Sequence, residues 1–141
     1  MRDLVSNLGL RTAFIGALSA DNTPVAIDLK GFDRAAILLH IGAGGITFNG
    51  TNKVEFVLTH SDDGTTFDPV TDGDVQGVTG VTGGIIKSLK TAHADADVTK
   101  IGYIGNRRYL KLLADFSGTH GTPTPMAALV ALGGARDYPI A

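Results

Sequence analysis

Five aspartates fall between positions 62 and 74, at 62, 63, 68, 72 and 74, and His60 stands just ahead of them. Carboxylates at that density invite a hard cation such as calcium, which takes oxygen ligands. A calcium loop of the helix–loop–helix kind needs acids at alternate positions, a glycine sixth and a glutamate twelfth. KVEFVLTHSDDGTTFDPV, residues 53–70, does not keep that register. An irregular calcium site is the alternative. The favoured reading is turn chemistry, because Asp-Asp-Gly at 62–64 supplies side chains that bond their own backbone and a residue that tolerates positive φ.

The other chemistry-bearing residues are scattered. His40, His60, His93 and His120 never form a close pair, so zinc would need ligands converging from distant strands. His60 falls on the same face as Leu58 near a strand end and reads as a hydrogen-bonded structural histidine. GITFNGTN has two glycines at phosphate-loop spacing, Gly45 and Gly50, but Thr51 stands where the lysine belongs. No serine lies in a G-x-S-x-G elbow. Asn49-Gly50-Thr51 matches a glycosylation acceptor and reads as an Asn-Gly turn. With no cysteine, disulfides, thiolate metal sites and a cysteine nucleophile are excluded. The expectation is a chain with no catalytic residues, no metal and no cofactor.

These residues must be held by strands. The chain has 141 residues, 43% hydrophobic, with a formal charge of -2, which gives no electrostatic reason to expect nucleic acid or an acidic membrane as partner. Glycine, at 19 of 141, is roughly twice as common as usual and marks many tight turns. PVAIDLKGF alternates as a half-buried strand. RAAILLHIG is apolar on both faces and reads as central. Val54, Phe56 and Leu58 share a face, the acidic turn follows, and 65–67 resume a strand, which makes a hairpin. DVTKIGYIG, RRYLKLLADF and PMAALVALGG are further strands, and Ala92 to Ala96 is a candidate helical turn. Ala13 to Leu18 is short and apolar like a signal-peptide core, but Asp3 and Arg11 do not suit one. It is expected to be a terminal arm or short helix.

The organisation expected is one all-β domain: a jelly-roll-like β-sandwich of about eight strands over 23–134, an N-terminal arm at 1–22 and a tail at 135–141.

Two motifs carry a resemblance. Ser61-Asp62-Asp63-Gly64-Thr65-Thr66-Phe67, then Ile101-Gly102-Tyr103-Ile104-Gly105-Asn106-Arg107-Arg108-Tyr109-Leu110, preceded by AIDLKGFDRAAILLHIGA, resemble small head-associated structural proteins of tailed bacteriophages and gene transfer agents. His60 departs from the glutamate frequent there. The resemblance covers about Ala26 to Gly133. It implies a jelly-roll-like capsid cement or decoration protein on the capsid exterior, assembled in the host cytoplasm. Its partners would be the major capsid protein and its own copies, with no nucleic acid and no membrane. A vertex spike base is the alternative within that group. A free-standing carbohydrate- or receptor-binding module is the rival from another class, disfavoured by few aromatics and no tryptophan.

Candidate contact residues are Leu8, Phe14 and Ile15 in the arm, Phe48 and Asn49 in the 42–52 loop, and the pair Arg107-Arg108. A further candidate is the loop at 117–125. The arginine forks suit carboxylates on a neighbouring subunit.

Overall fold

A computed structural model describes residues 3–136. Ten strands form two antiparallel sheets: β1 (Gly9–Leu18), β2 (Ile27–Asp28), β3 (Phe32–Ile41), β4 (Lys53–Ser61), β5 (Asp68–Pro69), β6 (Val75–Gln76), β7 (Ile85–Leu89), β8 (Asp97–Tyr103), β9 (Tyr109–Ser117) and β10 (Thr124–Ala135). The first sheet runs β1-β10-β3-β8-β6. The second runs β2-β9-β4-β5, and β7 pairs with β4 beside β5.

The pairing is nested. β1 lies on β10, β2 on β9, β3 on β8 and β4 on β7, each antiparallel. A long hairpin rolled on itself gives that order, so the sandwich has jelly-roll topology. Three of the ten strands, β2, β5 and β6, are only two residues long.

Period-two patterning builds the core. β4 turns Val54, Phe56, Leu58 and His60 inward; β9 turns Leu110, Leu112 and Ala114; β10 turns Met126, Ala128, Val130 and Leu132. β3 adds Ile37, Leu39 and Ile41. All are buried, and Phe14 and Phe56 lie parallel across the interior with ring centroids 6.3 Å apart.

Several expectations change. The arm expected at 1–22 contains β1, a ten-residue strand of the first sheet. Its register shifts between Thr12 and Phe14, so Ala13 and Phe14 both face inward. Such a bulge breaks the alternation that would have marked the strand. Within PVAIDLKGF only Ile27–Asp28 forms a strand of its own, and Phe32 opens β3. The strand after the acidic turn is Asp68–Pro69, not 65–67. Ala92 to Ala96 is irregular rather than helical. The boundary expected at 134 lies inside β10, and residues 137–141 of the expected tail are outside the described residues.

Between β1 and β2 the chain crosses from one sheet to the other. There Asn22 accepts from the Ala114 amide at 2.7 Å and donates to the Leu112 carbonyl at 3.2 Å. Asp21 accepts from the Phe116 amide at 2.7 Å. Two side chains thus satisfy the rim of β9 beyond β2, where another strand would otherwise pair.

Candidate interaction surface

The two sequence motifs meet at one corner of the sandwich. Gly64 closes the acidic turn with φ +75°, and a side chain there would lie 3.3 Å from the Tyr109 ring. Glycine is therefore required twice over, for the left-handed backbone and for Tyr109 to pack on the turn. Ser61, fully buried, accepts from the amides of Asp63 and Gly64 and donates to Asp63. The Asp63 carboxylate also accepts the amides of Thr66 and Thr65, and these bonds hold its pKa down at about 2.

Tyr103 links this turn to the GYIG segment. Its hydroxyl sits 2.9 Å from His60 Nδ1 and accepts the Arg107 amide at 3.2 Å. Burial, then the nearby Arg107 charge, pushes the His60 pKa below its usual value. Burial likewise raises that of Tyr103. A β-carbon on Gly105 would stand 2.5 Å from the Tyr103 hydroxyl, so only glycine lets the backbone cross there. The structural role expected for His60 is what the geometry gives.

Arg107 pairs with Asp68 at 2.5 Å and lies 3.8 Å from Asp62. Arg108 forms a two-pronged contact with Asp28, both bonds 2.8 Å, and its guanidinium lies 4.9 Å from the Tyr109 ring centroid. The Arg108 bond is the main reason Asp28 has its pKa lowered to about 2. The forks expected to reach a neighbouring subunit thus hold carboxylates of their own chain. A cleft of about 550 Å³ opens beside them, lined by Lys30, Arg34, Asp62, Arg107, Arg108 and Arg136.

The remaining aspartates do not converge. Asp72 accepts the Val81 amide, and Asp74 caps its own 3-10 turn through Thr71. Among the described residues no group of three metal-ligating side chains comes together. At the far end, His93 is 2.8 Å from the Gly42 carbonyl and His120 is 2.9 Å from that of Ser117.

Two candidate contact residues are corrected. Phe14 and Phe48 are buried in the core, Phe48 with its ring 6.2 Å from those of both His93 and His120. Asn49 is exposed and accepts the amides of Thr51 and Asn52, the turn its sequence suggests. Leu8 is half-buried. Ile15 is 77% exposed.

Ile15 belongs to a surface the sequence did not single out, the outer face of the first sheet. Register aligns its outward residues in rows across β1, β10, β3 and β8: Leu10–Ala131–Ala36–Gly102, Thr12–Leu129–Leu38–Lys100 and Ile15–Ala127–His40–Val98. Val98 is 66% exposed, Leu10 51% and Leu129 36%. These three rows carry one lysine, one histidine and no acid. Antiparallel sheets facing water usually alternate apolar-in with polar-out. An outward apolar patch of this kind marks a contact surface.

No family model and no curated protein matches the chain. Among solved structures, one described as "Bacillus endospore appendages form a novel family of disulfide-linked pili" aligns over 92% of this chain and 89% of that one, with a TM-score of 0.38 and 13% identity.

Proposed function

We propose that this chain is a virion structural protein, a capsid cement or decoration protein that binds the major capsid protein and its own copies without catalysis. The observation that carries the reading is the division of the surface. The arginine pair at the motif corner is tied up within the chain, whereas apolar side chains are left outward on the first sheet. Such a molecule acts by burying area. On a symmetric shell many modest contacts add through avidity. The motif resemblance supplies the shell as partner.

The test is sedimentation of capsids with the purified chain, followed by heating. Stoichiometric pelleting and a higher temperature of shell failure are expected. A chain left in the supernatant at every ratio sinks the proposal, and selective capture on a glycan array points to the rival binding module.

A further inference from the structure

We infer that the outer face of the first sheet is the docking site for a second copy of this chain, packed sheet on sheet about a two-fold axis parallel to the strands. The inference rests on the reading above only in that the chain works by contact, and it names the face and the occupant.

Size is the first argument. Four strands spaced about 4.8 Å and three rows spaced about 6.8 Å give a plan area of roughly 390 Å². Side-chain relief raises the accessible area toward the ≈ 800 Å² per partner of an ordinary stable interface.

Self-complementarity is the second. An axis running along the strands between β10 and β3 keeps each row in register and reverses its order. β1 of one copy then lies over β8 of the other, and β10 over β3. Bulky Leu10 meets Gly102, Ile15 meets Val98, and Leu129 meets Leu38. The natural angle of about 30° between aligned sheets displaces the outer pairs by roughly one residue and leaves the central pair in place.

Charge is the third. The same operation sets Lys100 over Thr12, away from its own symmetry mate. A two-fold axis across the strands at that row would instead stack Lys100 on Lys100, a like-charge contact that disfavours it. The axis along the strands is therefore free of the like-charge contact that a cross-strand axis through the middle row would make.

The chain contains no cysteine, so a cross-linking test starts from a clean background. Thr12 and Lys100 of one chain are three strand spacings apart, about 14 Å. Across the inferred contact they face each other. The Thr12→Cys, Lys100→Cys double variant, treated with a bismaleimide linker of about 8 Å, is expected to give a covalent dimer, with neither single variant doing so. In light scattering the native chain is expected at twice its 14.6 kDa mass. Ile15→Lys, at a position too exposed to threaten folding, is expected to halve that mass, whereas Val25→Lys, exposed off the face, leaves it unchanged. A single-chain mass at high micromolar concentration overturns the inference. So does an Ile15→Lys chain that still pairs, or equal cross-linking of a single-cysteine variant. A monomer that coats particles defeats the inference and leaves the virion reading standing. A face-to-face dimer that never pellets with particles does the reverse.

Discussion

The outer surfaces of the two sheets are built from the same kind of strand and differ in what they show to water. On the second sheet Glu55 pairs with Lys53 at 2.8 Å and Lys90 at 3.4 Å, and Lys111 lays its ammonium 4.2 Å from the Phe67 ring centroid. Val57 and Leu113, opposite each other there, are only half exposed among those long polar side chains. The first sheet has no such cover over Leu10, Ile15 or Val98. The same scaffold therefore makes one face covered by polar side chains and one left apolar. The difference lies in a few outward positions, not in the fold.

Substitution along a single strand should give the sharpest contrast. Leu132 and Leu129 are both on β10, one fully buried and one facing out. Leu132→Ala is expected to cost about 2–5 kcal/mol in urea denaturation. Leu129→Ala should cost the isolated chain under about 1 kcal/mol and weaken association instead. Equal losses would erase the distinction between the faces.

The motif corner ranks next. Tyr103→Phe strips a partner from His60 Nδ1 and from the Arg107 amide, with an expected loss of about 1–3 kcal/mol in thermal unfolding. Self-association through the outer face of the first sheet, as inferred above, should not change.

A smaller effect concerns acidity near neutrality. His60 has a lowered pKa in the folded chain, so the unfolded chain binds more protons below about pH 6.5. Its contribution is complete above that pH and declines as the pH falls. The native chain should lose more melting temperature between pH 7.5 and 5.5 than His60→Gln does. An identical slope would mean that His60 does not couple to folding.

The smallest effect belongs to the exposed pair of Asp28 and Arg108, each side chain 44% exposed. Solvent screening limits Asp28→Asn to about 1 kcal/mol or less. With Asp28 lowered from 3.8 to about 2, the native contribution is present above about pH 4 and is lost as the pH falls toward 2. Acid unfolding followed by circular dichroism should be shallower in the variant over that window.

How much of this was legible in the sequence depends on how local each signal is. β4, β9 and β10 declare themselves by alternation over nine or more residues. β1 does not, because its bulge places Ala13 and Phe14 on one side and interrupts the period. Phe48 read as a loop residue and is core, since nothing in GITFNGTN shows which way a loop aromatic turns. The arginine pair was visible, but its carboxylates lie 39 and 80 positions away, so the choice between own chain and neighbour required the fold. Ile15 was named within a supposed arm. Its companions Leu129, Leu38 and Val98 look like any strand residues until register puts them on one side.

The bulge in β1 and the Asn22–Asp21 plug on β9 have a joint consequence for crowding. Each blunts a long rim, one by kinking the backbone and the other by substituting amide and carboxylate groups for a missing neighbour. Copies held shoulder to shoulder can then remain discrete objects, and their main chains are kept from fusing into one continuous ladder.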